Sequence, residues 1–230
     1  MPTNSMELED QYAAAIRSML NLYHVSVKEI HCAVIGSVVP PITEYLRLAI
    51  KRLFSFEALV VKYDTDPDLK IAIQNPKETG ADLILSCVAA KEKYPAPCII
   101  IDMGTATKCI VLDKDQRMLG GCIIPGMGIS LRALFRSAAL LTTVEMEAPD
   151  RVIGDSTVSC IQSGSIYGSA AMLDNLCSRM EKELGTPCTV VATGGFAEKV
   201  IPHCEREICY DKTLVLDGLR LIHEKVRGKG

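Results

Sequence analysis

The sequence predicts an α/β fold of two similar halves, the first without the β-meander that opens the second. Three observations carry this expectation. The stretch Cys98–Gly126, CIIIDMGTATKCIVLDKDQRMLGGCIIPG, alternates apolar runs with short polar turns, as three successive strands do. After that stretch the periodicity runs helix, helix, strand, helix; before it, from Leu8, it runs helix, strand, helix, strand, helix. The earlier order resembles the later one with its leading meander removed, which divides the chain into residues 1–97 and 98–230.

The elements follow in order. Tyr12, Ala15, Ile16, Met19 and Leu22 fall at helical spacing over Leu8–Leu22, with Asn4 or Ser5 available as a cap. A strand is expected over Ile30–Val39, and Pro40-Pro41 then opens a helix over Ile42–Leu53. Ala58–Tyr63 reads as a strand, Leu69–Gln74 as an extended piece and Asn75–Thr79 as a loop. Leu83–Ala90, continuing to Lys93, reads as a helix with Asp82 at its N-terminus. A carboxylate there is favoured by the helix dipole, and the same carboxylate could serve as a proton acceptor; spacing leaves both readings open.

Ile99, Ile100 and Ile101 form the first strand of the meander, Asp102–Thr107 a polar turn, and Asp113–Gln116 the turn before a third strand that starts near Met118. A carboxylate leading Gly-Thr-Ala-Thr at the mouth of an apolar strand offers backbone N–H groups and hydroxyls to a phosphate or a cation. Gly126–Gly128 lead into a helix over Ile129–Leu141, with Leu131, Leu134, Phe135 and Ala138 on one face. Asp155 or Ser156 caps a long helix to about Leu184, on which Gly164 and Gly168, one turn apart, are expected to permit close helix packing. Thr189–Ala192 is a buried strand that ends in Thr193-Gly194-Gly195, either a simple turn or a place where a ligand nears the backbone. Ala197–His203 and Thr213–Val226 read as helices.

Composition narrows the function classes. Of 230 residues, 48% are hydrophobic and 23% charged, a globular balance rather than a disordered one. A net charge of −3 gives no electrostatic case for nucleic acid or an acidic membrane surface, and neither is expected as a partner. No apolar run suits a membrane span and the polar start MPTNSMELED does not read as a secretory signal, so a cytoplasmic protein is expected. The ten cysteines are scattered without a C-x-x-C pair and read as small buried hydrophobes of a reducing compartment, not as disulfides or zinc ligands.

The element order is similar to that of actin-like and sugar-kinase-like ATPases, which bind a nucleotide between two such halves. A set of short segments then resembles the type III pantothenate kinases, in order along the chain. These are SVVPP (Ser37–Pro41), NPKETGAD (Asn75–Asp82), IDMGTAT (Ile101–Thr107), GGCIIPG (Gly120–Gly126), ALFRSAALL (Ala133–Leu141), RVIGDSTVSCIQSG (Arg151–Gly164), ATGG (Ala192–Gly195) and LVLDGL (Leu214–Leu219). The resemblance implies phosphorylation of pantothenate by ATP, a homodimer, Mg2+, and a monovalent cation, K+ or NH4+. It implies Asp82 as proton acceptor, Asp102 as the monovalent-cation ligand, and Gly104, Thr105, Gly194 and Gly195 at the nucleotide. Gly80, Ala81, Asp82, Leu83 and Thr157 fall at pantothenate, Thr157 across the dimer.

The sequence departs from the family pattern in places. The arginine after the catalytic aspartate is Leu83, which offers no donor to a carboxylate; a tyrosine is replaced by Ile73, and Thr142 stands where proline is usual. The family's opening strand and Asp-x-Gly-Asn-Thr phosphate loop are not among residues 1–230, so poor or absent kinase activity is expected of these residues alone. A non-catalytic paralogue, or a kinase for a related small molecule, remain alternative readings.

Overall fold

Three consecutive isoleucines need cover on both faces, and a central strand provides it. In the computed structural model, which describes residues 8–137 and 144–228, Ile99, Ile100 and Ile101 are at most 1% exposed. They lie in β3 (Cys98–Met103), the middle of a five-stranded sheet ordered β5-β4-β3-β6-β7. β4 (Ala106–Leu112) pairs antiparallel with β3, and β5 (Met118–Pro125) antiparallel with β4, so the predicted meander is formed. On the other side β6 (Thr189–Thr193) runs parallel to β3, and β7 (Cys209–Tyr210) parallel to β6. The turn before β5 is held by Asp113, whose Oδ1 accepts from the N–H groups of Asp115 and Arg117 at 2.9 Å.

Compact units divide the chain. One holds the described residues of Leu69–Gln74 and Ala89–Leu214; the other holds those of Met1–Asp68, Asn75–Val88 and Val215–Gly230. In the sheet-bearing unit, α4 (Met127–Ser137), α5 (Thr157–Leu184) and the short α6 (Ala197–Val200) cover the sheet. Leu131, Ile166, Leu173 and Val200 pack there with Ile99, Ile101 and Met103. Ser156 caps α5 by accepting from the Ser159 N–H at 3.2 Å, and Gly185, left-handed at φ +72°, ends it. α4 starts at Met127 rather than Ile129, because the N–H groups of Ile129 and Ser130 both reach the Gly126 carbonyl at 3.0 Å. The predicted helix over Ala197–His203 breaks into α6 and a 3-10 turn at Ile201–His203, where Pro202 has no N–H to continue the ladder. Ala138, Leu141 and Thr142 lie outside the described residues. Of Leu69–Gln74, expected to be extended, only residues 70–72 run along β5, where Met118 donates to the Lys70 carbonyl at 2.9 Å; Leu69, Ile73 and Gln74 bend.

The other unit contains α1 (Glu9–Leu22), β1 (Val34–Ile35), α2 (Pro40–Phe54), β2 (Leu59–Val60), the first part of α3 (Ala81–Lys93) and α7 (Leu214–Arg227) from Val215 onward. Tyr12 and Ala13 of α1 pack on Ile42 and Ala49 of α2. The predicted strands over Ile30–Val39 and Ala58–Tyr63 shorten to two residues each, paired parallel as Val34 with Leu59 and Ile35 with Val60. Ser37 closes a local turn instead, its Oγ accepting from the Val39 N–H at 3.2 Å just before Pro40. The expected caps Asn4 and Ser5 are outside the described residues; α1 is entered through Leu8, whose N–H donates to Gln11 Oε1 at 2.8 Å. Ile84, Leu85 and Val88 of α3 are at most 1% exposed, and Gly218 of α7 brings its backbone against the Leu85 carbonyl.

Candidate functional site

β3 and β6 run parallel, so their carboxyl ends open on the same edge, with Asp102 opposite Thr193. In parallel arrangements ligands collect at such an edge. The chain leaves β3 through Gly104 and Thr105 and leaves β6 through Gly194 and Gly195. Gly194 has φ +99°, and a Cβ there would lie 2.6 Å from the Met103 carbonyl carbon and oxygen. Only glycine fits that crossing. Gly126 presses equally closely on the Thr105 carbonyl. The turns enclose a cleft of about 300 Å³ lined by Gly104, Thr105, Gly128, Arg132, Gly195 and Phe196. Thr105, Arg132 and Gly195 are exposed there, and nothing lies within 4 Å of where a Gly195 Cβ would project.

Asp102 stands beside this cleft. Its Oδ1 lies 3.4 Å from the Cβ position of Gly104, and its Oδ2 accepts from Lys108 Nζ at 3.0 Å. Both side chains are only 15% exposed. Lys108 is the cross-strand partner of Asp102 in the β3–β4 register, so the pairing is set by the hairpin itself.

A larger cavity in the same unit, about 1140 Å³, is lined by residues of α4, the loop before α5, and α5. Thr157, Asp155, Cys160, Gly164 and Gly168 are among them. Within the chain Gly164 and Gly168 do not pack closely on another helix, contrary to expectation: among the described residues nothing approaches within 4 Å of either Cβ position, and both are exposed.

In the other unit, Gly80 and Ala81 line a cavity of about 820 Å³ together with Ser37, Thr43, Arg47 and Thr79. Asp82 lies in the first turn of α3, where its Oδ1 accepts from the Leu83 N–H at 2.9 Å. Thr79 Oγ1 is buried without a hydrogen-bond partner among the described residues. Leu83 is half-buried, and Ile73, in the sheet-bearing unit, packs on Gly120 with Cγ2 3.6 Å from its Cβ position.

The cleft therefore gathers Gly104, Thr105 and Gly195 of the expected nucleotide residues, with Gly194 shaping it from behind. Sequence reading missed Arg132, Thr79 and Lys108. Hairpin symmetry about Gly104–Thr105 was the available signal for Lys108, since it sets Lys108 across from Asp102; Arg132 and Thr79 gave none.

Residues 1–179 match the family described as type III pantothenate kinase. The chain belongs to that family. A type III pantothenate kinase of Exiguobacterium sp. is 39% identical over 97% of this chain and 87% of its own length. Those of Roseiflexus sp. and Myxococcus xanthus are 40% and 36% identical over 98% and 96% of this chain, and 88% and 86% of their own. Among solved structures, a Campylobacter jejuni protein described as of the Baf family aligns with TM-score 0.60 at 15% identity, over 91% of this chain and 89% of that one. The ethanolamine utilization protein EutJ of Carboxydothermus hydrogenoformans aligns with TM-score 0.50 at 14% identity, over 93% and 74%. Those likenesses are of fold alone, and with the family they agree with the actin-like, sugar-kinase-like α/β class expected from element order.

The cation set fits unevenly. Among the described residues no group of three His, Cys, Asp or Glu side chains is placed to hold a metal. The carboxylate that the resemblance gives to a monovalent cation accepts from Lys108 Nζ at Oδ2, so a second cation on it would face an ammonium group at close range.

Proposed function

We propose that this kinase transfers the γ-phosphoryl group of ATP to the hydroxyl of pantothenate, giving 4'-phosphopantothenate and ADP, the first step of coenzyme A biosynthesis. The observation that carries the reading is the cleft at the carboxyl ends of β3 and β6, joined to family membership over most of the chain. Phosphoryl transfer needs positioning and charge neutralisation more than covalent chemistry. Gly104, Thr105 and Gly195 give a cradle narrow enough for phosphate to meet backbone, with Gly194 fixing its wall, and the Arg132 guanidinium supplies positive charge at its rim. Mg2+ arriving with ATP would supply further positive charge against the phosphates, without a dedicated cage of three or more carboxylate, His or Cys ligands among the described residues.

Asp82 is the proton acceptor. Its position in the first turn of α3, with Oδ1 accepting from the Leu83 N–H at 2.9 Å, holds the carboxylate at the helix N-terminus, where it takes the hydroxyl proton. Gly80, Ala81 and Leu83 line the pantothenate side, and Thr157 completes it from a second copy in a homodimer. The open backbone at Gly164 and Gly168 in the Thr157 cavity supports that arrangement. No helix among the described residues is long and apolar enough to cross a membrane, and ten free cysteines suit a reducing compartment such as the cytoplasm.

The test is a coupled ADP-release assay with pantothenate, ATP and Mg2+. Absence of turnover from folded protein sinks the reading. Asp82→Asn should lower kcat by about 10²–10⁴-fold, the usual worth of a positioned base, with folding unchanged. Leu83 favours a second reading, a related substrate without the carboxylate that an arginine would grip. In that case Leu83→Arg improves pantothenate use by about ten- to a hundredfold, one charged hydrogen bond.

A further inference from the structure

We propose that the Lys108 ammonium is the built-in counter-cation of Asp102, in the place a bound potassium or ammonium ion would take, so that the nucleotide cleft works without a monovalent salt. The inference rests on the nucleotide reading of that cleft. Three features carry it. Lys108 sits directly across the β3–β4 pair from Asp102, so its side chain leaves the sheet on the same face. Nζ meets Oδ2 at 3.0 Å, with both side chains 15% exposed, so the pair is shielded from bulk water. The other oxygen, Oδ1, faces the Gly104 turn that lines the cleft.

A carboxylate beside triphosphate is a liability, since it adds negative charge where negative charge must gather. One tethered cation removes it. A dissolved ion must be drawn from solution and stripped of water each time, whereas Lys108 is delivered by the hairpin at a fixed register. A second cation on the same carboxylate would face the ammonium at close range, and like charges in a shielded place repel strongly. The competing account is a cross-strand ion pair that only steadies the hairpin. The two differ in what a free cation does after the lysine is removed.

The experiment measures binding of a non-hydrolysable ATP analogue with Mg2+ by calorimetry, and turnover in parallel, in choline chloride, KCl and NH4Cl at equal ionic strength. The wild-type dissociation constant should change by less than about twofold between choline and KCl. Lys108→Ala should weaken binding about ten- to a hundredfold in choline, the worth of one charge-assisted hydrogen bond, and regain most of it in KCl or NH4Cl. A wild-type protein that needs potassium for fivefold or more of its affinity overturns the proposal. So does a Lys108→Ala loss that no monovalent cation restores, which is the structural account, or no loss at all. If the alanine variant does not fold, Lys108→Gln keeps the stem and the wild-type salt comparison still decides. Failure of the kinase reading shows differently: wild-type protein binds no nucleotide in any salt, and both ideas fall.

Discussion

Replacing Gly194 by alanine should be far costlier than the same change one residue later. At Gly194 the backbone has φ +99°, and the added methyl would come to 2.6 Å from the Met103 carbonyl carbon and oxygen and 2.8 Å from its nitrogen. Those are main-chain atoms of the central strand and cannot swing aside. Left-handed strain costs about 1–2 kcal/mol. Forcing a methyl into packed backbone adds about 1–3 kcal/mol. The sum, about 2–5 kcal/mol, lowers Tm by about 4–20 °C for a chain of this size. At Gly195 no atom stands within 4 Å of the new methyl, so Gly195→Ala should leave stability within about 0.5 kcal/mol. That methyl enters the cleft, however, and should weaken nucleotide binding. Thermal melts of both variants, with calorimetric titration of an ATP analogue, separate the effects. Equal melting temperatures for the two variants refute the reasoning, because the close crossing would then carry no strain.

Arg132→Gln should weaken nucleotide binding about ten- to a hundredfold, one charged hydrogen bond, with the melting temperature unchanged; an unaltered dissociation constant removes Arg132 from the site. Asp211 and Glu181 should contribute to acid unfolding. Burial pushes each carboxyl up, but the Lys93 and Tyr94 bonds to Asp211, and the Arg206 bond to Glu181, outweigh it and leave both below their ordinary values. Depressed folded values stabilise fully above the unfolded pKa of about 4 and lose that stability as pH falls through the folded ones. Urea melts across the acid range should therefore steepen below about pH 4, and Asp211→Asn should flatten that limb. Native thiol titration should label Cys32, Cys160 and Cys209, which are exposed, well before Cys98, whose thiol burial pushes up to about 12; early Cys98 labelling contradicts the packing.

Local signals of the sequence matched the structure where burial and turn chemistry agreed. The Ile99–Ile101 run is a buried central strand, the Asp113 turn closes as its residue types require, and Ser156 and Gly185 bound α5. Elements defined by a distant partner were harder to read. The stretch Ile30–Val39 is apolar enough for a long strand, yet it pairs only where Leu59 and Val60 meet it. The spacing of Gly164 and Gly168 matches a packing motif, but spacing says nothing about which surface arrives, and here they face a cavity. Of the site, Gly104, Thr105 and Gly195 were visible as a motif around one strand end and its neighbour, with Asp102 adjoining at Gly104. Arg132 was not, because its value comes from the direction in which α4 leaves Gly126.

The parallel pairing of β3 with β6 also sets when the cleft can exist. Asp102 and Thr193 are roughly ninety residues apart in sequence, while the β3–β4 hairpin needs only a short turn. On a logarithmic closure scale the longer loop costs about 2.5 kcal/mol more chain entropy. The hairpins can therefore form early, whereas the wall contributed by Gly194 and Gly195 waits for the latest and least local pairing. On the proposed nucleotide reading of the cleft, a nucleotide bound between those walls would report on the completed sheet and hold together the contact that the chain finds hardest to make.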